Sequence, residues 1–159
     1  MPMTLFKTLG LAGALFSALM IAAPTAGMAD VEDTVKKRQA NMKDLGRSMK
    51  TIKDYLGGSG SAADVQAAAM TMAAIAPTLA DLFPEGSSMD EVSIESEALP
   101  SIWEDWNGFT NLFGTLETES RKLADLAASG ADSDQIAAQF GATGKGACGA
   151  CHKDFRKDK

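Results

Sequence analysis

The sequence predicts an all-α fold, an antiparallel four-helix bundle. Three observations predict it. Apolar residues recur at helical spacing in four separate stretches, and no stretch alternates with the period of two that marks a strand. Two of the three joints between those stretches are short, which sets their neighbours antiparallel. Each stretch carries one apolar stripe, enough to bury it against the others.

The first helix is expected from about Asp30 to Leu56. Its inward seam reads Val31, Val35, Arg38, Met42, Leu45, Met49, Ile52 and Leu56, with steps of four and three throughout. Gly57-Gly58-Ser59-Gly60 stops it. The second is expected from about Ser61 to Phe83, opened by a capping box of Ser61 and Asp64. Its seam is Val65, Ala69, Met72, Ala76, Leu79 and Phe83. Pro77 lies inside it and predicts a kink, because proline lacks an amide donor and crowds the preceding turn. Residues 84–99 then form a polar, acidic connection, long for a compact bundle.

The third helix starts near Pro100, a favoured first-turn residue. Its seam is Ile102, Trp106, Phe109, Phe113, Leu116, Ser120, Leu123 and Ala127, closed by Ser129-Gly130. Trp103, Trp106, Phe109 and Phe113 make an aromatic block that either packs on a flat ring or, as most of them read, is plain core. The fourth starts near Asp132 or Ser133 and carries Ile136, Phe140, Ala147, Cys151 and Phe155. Gly141, Gly144 and Gly146 weaken it as a helix but let a flat, bulky group approach the backbone.

Ahead of the first helix the chain reads as a leader. Lys7 supplies a positive start, Leu9 to Ile21 is apolar and uncharged, and Pro24 to Ala29 supplies small and turn-forming residues. That pattern predicts a secretory signal peptide over residues 1–29, cut near Ala29, with one domain over 30–159. An uncleaved anchor is the other reading of the same run. The formal net charge is −6, from 15 basic and 21 acidic side chains. Loss of Lys7 brings it to about −7, which argues against nucleic acid as a partner. No second long apolar run predicts a membrane span in the mature chain.

The chemistry lies near the carboxyl end, in Cys148-Gly149-Ala150-Cys151-His152. These are the only two cysteines and the only histidine of the chain. The pattern is the c-type haem attachment motif. Each thiol can add to a haem vinyl group, and the adjacent imidazole can bind the iron. A thioredoxin-like redox pair needs a strand before a helix, and no strand is expected. A zinc site needs four ligands, and this cluster offers three. A plain disulfide is the remaining alternative. On a helix, Cys148, Cys151 and His152 share one face.

With His152 as the proximal ligand, the other axial position falls to methionine, lysine, tyrosine, water, an outside ligand or nothing. Met42 and Met49 share the inward seam of the first helix, and either suits a distal role or plain core filling. Arg38 is the one charge on that seam. It either grips an anion, such as a haem propionate, or snorkels to solvent at the bundle end. Arg156, four residues after His152, either reaches a propionate or serves as a last-turn cation. Lys153, Arg156, Lys157 and Lys159 follow the motif closely, either as a steering patch for acidic redox partners or as a solvated terminus.

These features resemble the class II cytochromes c, the cytochrome c prime family, over nearly the whole mature chain. Cys148 to Arg156 matches the family signature, on the last helix near the carboxyl end. Arg38-Gln39-Ala40 with Met42 is similar to the first-helix motif, where an arginine precedes the distal residue by four. Leu82 to Ser87 and Ala98 to Trp103 are similar to further family segments. One departure is Lys145, three residues ahead of Cys148, where the family's lysine stands two ahead.

The resemblance implies a left-turning bundle with one covalent haem c, often a homodimer through the first two helices. It also implies two branches. In one, a methionine at the position of Met42 ligates the iron and makes an electron carrier. In the other, the iron is five-coordinate, an apolar residue there blocks the distal face, and nitric oxide or carbon monoxide binds. The stretch from Met42 to Met49 resembles the first branch more. The expectation is therefore a periplasmic one-electron carrier, not an enzyme, with His152 and Met42 on the iron and Arg38 near a propionate. Redox proteins would be its partners. The alternative is the gas-binding branch, and a haem-free structural or thiol-redox bundle is the third reading.

Overall fold

The structure, a computed structural model, describes residues 26–158. The first 25 residues of the expected leader, and Lys159, lie outside the described residues. Helix α1 spans Ala26–Leu56, so its first turn is made by the last residues of that leader. Val35, Arg38 and Ile52 of the expected seam are buried; Val31, Met42, Leu45, Met49 and Leu56 are half-buried. Gly58 ends the helix in the left-handed region at φ 88°. The Ser59 amide reaches back to the Asp54 carbonyl at 2.9 Å, and the Gly58 amide to Tyr55 at 2.9 Å. That pairing satisfies orphan carbonyls at the helix end.

Helix α2 spans Ala62–Ile75 and opens with the expected box. The Asp64 amide donates to the Ser61 hydroxyl at 3.2 Å, and the Ser61 amide to the Asp64 carboxylate at 2.8 Å. The Ser61 hydroxyl and amide hold the Asp64 carboxyl below its ordinary pKa. Pro77 ends this helix rather than kinking it. The chain passes into two 3₁₀ turns, Ala76–Thr78 and Ala80–Leu82, because proline cannot supply the next helical hydrogen bond. The expected seam stays buried through the turns, from Val65 to Phe83.

Residues 84–99 hold neither helix nor strand beyond an isolated antiparallel bridge between Ala98 and Arg156. The expected third helix is broken in two. Helix α3 is the single turn Ser101–Glu104, and α4 spans Trp106–Ala128. Asp105 leaves helical geometry at φ −125° and ψ 60°, and its carboxylate accepts the Gly108 amide at 3.0 Å. The break resets the helical phase. Trp106, expected on the seam, is therefore 37% exposed, while Ile102, Phe109, Phe113, Leu116, Ser120, Leu123 and Ala127 are buried as expected.

Asp132 caps α5, Ser133–Thr143, in a box with Gln135. A π-helical turn, Gly144–Gly149, joins it to α6, Ala150–Phe155, with right-handed helical dihedrals at both joins. A π turn takes in one residue more than the α turn it replaces. That surplus matches the one-residue displacement of Lys145. Gly149 suits the turn because a Cβ there would lie 3.3 Å from the Gly144 carbonyl oxygen.

The bundle thus has four rods: α1, α2 with its turns, α4, and α5 running into α6. Met70 and Ala73 meet Arg121 and Ala124, while Phe83 meets Phe109 and Phe113, so α2 and α4 run antiparallel. Phe109 is the hub of the core. Its ring packs edge-on to Phe83 at 4.7 Å, Phe113 at 4.8 Å and Phe155 at 5.2 Å. Among the described residues no helix is long and apolar enough to cross a membrane.

Phe109→Ala is expected to cost about 3–5 kcal/mol in urea unfolding, since it removes a fully buried ring from that hub. Ser61→Ala is expected to cost about 1 kcal/mol through the lost cap. Equal costs for the two would contradict this account of the core.

Candidate functional site

The rods do not close evenly. Between α1, α4 and α6 lies a cavity of about 580 Å³, in the size class that holds an organic cofactor, roughly 300–1,000 Å³. Met42, Leu45 and Met49 of α1 form one wall; Leu112, Phe113 and Leu116 of α4 form another. The floor carries Cys148, Cys151, His152 and Phe155, and the crossover closes an edge with Glu95 to Ala98. Six residues singled out from the sequence, Arg38, Met42, Cys148, Cys151, His152 and Arg156, line this one space.

The motif straddles the join of the π turn and α6, so its three side chains do not stand on one regular α-helix. They converge on the cavity nonetheless. Cys148 and Cys151 are both free thiols and both half-buried. Burial pushes the Cys148 thiol up. Burial first, and the Cys148 charge second, push Cys151 up to about 11. Deep, protonated and unbridged, the pair fits a covalent anchor better than a reactive redox couple, which needs a lowered pKa. Gly144 leaves room for Met49, whose Cε would lie 3.6 Å from a Cβ at that position.

Arg38 does not snorkel. It is 5% exposed, and its guanidinium lies 4.5 Å over the Phe83 ring. It donates to the Ser87 hydroxyl at 3.2 Å, the Ser87 carbonyl at 3.1 Å and the Ser96 hydroxyl at 3.0 Å. All three acceptors are neutral. Burial alone pushes its pKa down to about 10, which leaves it charged at neutral pH. A buried cation without a carboxylate is costly, and an incoming anion relieves that cost. Haem brings two carboxylates, so the residues fit the group: thiols for its vinyls, an imidazole for its iron, a guanidinium for a propionate.

Arg156 differs from its expected role on the helix. Helix α6 ends at Phe155, and Arg156 is extended at φ −125° and ψ 139°, bridged to Ala98. It therefore does not share a helical face with His152, because its backbone pairs with the crossover instead. Its side chain still lines the cavity; Nε is buried without a hydrogen bond, 3.9 Å from a Glu97 oxygen. Lys153 and Lys157 are exposed beside the motif. Trp103 and Trp106 stay out of the cavity; the Trp103 indole donates to the Phe83 carbonyl at 3.3 Å. Sequence reasoning missed Ser87 and Ser96, the partners of Arg38, because a loop serine carries no periodic signal.

A bundle with a haem-attachment motif on its last rod, opening into a cofactor-sized cavity, defines a c-type haem protein. The chain belongs to the Cytochrome C' family, whose model matches residues 33–156. It is 31% identical over 133 residues to a cytochrome c' from Halomonas halodenitrificans, covering 82% of this chain and 100% of that relative. It is 33% identical over 127 residues to a cytochrome c-556 from Agrobacterium tumefaciens, covering 79% of this chain and 98% of the relative. Its fold matches a nitric oxide complex of a cytochrome c prime variant from Alcaligenes xylosoxidans, with a TM-score of 0.67 and 26% identity over 80% of this chain and 97% of that one. The family binds covalent haem c, and two cysteines for the attachment are present. The protein is thus a haem protein of the electron-carrying or gas-binding type.

In the folded chain without haem, Cys151 is expected to alkylate about a hundredfold more slowly at pH 8 than in the urea-unfolded chain. A rise in pKa from 9.0 to about 11 leaves that much less thiolate. Stability held below pH 9 is lost as pH climbs toward 11, because the unfolded chain gives up the Cys151 proton first. Equal alkylation rates in the two states would contradict a buried thiol.

Proposed function

We propose that this protein is a periplasmic haem c protein that binds nitric oxide or carbon monoxide, with Met42 covering the distal side. The observation that carries the reading is the single cavity that both thiols, the lone imidazole and Arg38 all line. Bound there, haem c would supply an iron able to take a diatomic gas. Cys148 and Cys151 anchor the group. His152 holds the iron from the floor. Arg38, with Arg156 beside the crossover, binds its carboxylates. Met42, Leu45 and Met49 would keep water out from the α1 wall with apolar, half-buried side chains. The chain itself catalyses no covalent chemistry in this reading.

Membership of the Cytochrome C' family and the likeness to a nitric oxide complex support gas binding over the electron carrier expected from the sequence. One observation favours the carrier as a second reading. The Met42 thioether lines the same cavity as His152, and a methionine ligand raises the reduction potential. A leader over residues 1–29, cut near Ala29, belongs to the proposal. So does a homodimer through α1 and α2, where Met70 is a large apolar side chain 57% exposed.

The ferrous protein is expected to bind carbon monoxide. Met42→Ala should speed that binding by about tenfold, equivalent to ~1.4 kcal/mol of barrier. A ferric sulfur-to-iron charge-transfer band that disappears in Met42→Ala would overturn this reading in favour of the carrier.

A further inference from the structure

Arg38 spends three of its five N–H donors on the crossover. Both hydroxyls it meets are turned toward it. The Ser87 hydroxyl gives its own proton to the Pro84 carbonyl at 2.7 Å, leaving lone pairs for the guanidinium. The Ser96 oxygen accepts from Arg38 and also from the Ala98 amide at 3.3 Å. Ser87 is fully buried, so water does not compete for that contact. Gln39, the next residue of α1, donates to the Glu95 carbonyl at 2.7 Å.

The same segment is laced to the floor of the cavity. The Leu99 amide donates to the Phe155 carbonyl at 3.1 Å, and the Lys157 amide to the Glu97 carbonyl at 2.9 Å. The Ser101 hydroxyl donates to the Asp154 carbonyl at 2.8 Å. One stretch of backbone thus hangs from α1 by a buried cation and is fastened at its far end to the residues just after His152. Between those ties, Glu95 to Ala98 form an edge of the cavity.

We infer that the crossover is a gate on the cavity, latched by Arg38, with Ser87 and Ser96 as positioning residues that hold the guanidinium in the latch. The gate rests on the reading of the cavity as a haem pocket that admits a small neutral gas. Ties to a charged donor are stronger than neutral ones, so the two serines govern how often the segment lifts. Loosening them opens the edge to the gas. It also frees the backbone paired with α6, because the segment is continuous.

The test uses the haem-loaded protein, with Ser87→Ala, Ser96→Ala and the double variant. Ser93→Ala is the control, since its tie to Glu32 lies on the exposed side of the same crossover. Carbon monoxide binding to the ferrous protein is timed after flash photolysis, and hydrogen exchange is followed at the Leu99 and Lys157 amides. The double variant is expected to speed gas binding at least threefold and exchange at both amides at least tenfold, with Ser93→Ala within twofold of wild type. Gas binding within twofold of wild type in the double variant overturns the gate, whether or not exchange rises. Exchange reads the latch without haem. A colourless wild-type protein therefore refutes the haem pocket, while the Leu99 and Lys157 amides still decide whether Arg38 holds the crossover through its serines.

Discussion

A buried guanidinium that meets only neutral acceptors sets the terms for this bundle. Arg38 is placed on the inward seam of α1, where its neighbours one turn away are apolar. Two serines and a carbonyl spread its charge but do not cancel it. The bundle therefore keeps an unneutralised cation beside a large, mostly apolar cavity. Such an arrangement suits a ligand that is flat and apolar in its body and anionic at its rim. The thiols and the imidazole on the floor then fix which such ligand it is.

The aromatic hub explains why the cavity persists rather than collapsing. Phe109 packs against Phe83, Phe113 and Phe155 at once, tying the end of the 3₁₀ turns after α2 to α4 and α6 at one level. Close-packed rings resist rearrangement. At Gly144, in the π turn, the missing Cβ leaves room for Met49 of α1. The methionines along the gap are flexible and polarizable, suited to lining a space that a rigid ring system fills.

Much of this was legible in the residues. The first cap was readable because it is local: Ser61 with Asp64 needs only a few consecutive residues, whereas only the start near Asp132 was read for the last rod, not its box with Gln135. The seam of α2 was readable because periodicity outlasted the change from α to 3₁₀ geometry. Trp106 was misplaced because one residue, Asp105, left helical dihedrals and shifted the phase. Arg156 was misplaced because its backbone pairs with Ala98, far away in sequence. The π turn left two traces, a cluster of glycines and a lysine one residue out of place. Ser96 left none, and Ser87 only its place at the end of the family-like segment from Leu82, since a serine that binds a distant arginine looks like any loop serine.

The central claim is that a porphyrin is joined through sulfur to this cavity. Intact-mass measurement of the purified protein, followed by peptide mapping, tests it most directly. The account predicts a mass raised by one haem, with the added mass on the peptide that holds Cys148 and Cys151. A product with the mass of the bare polypeptide, from cells that mature other c-type cytochromes, would contradict it.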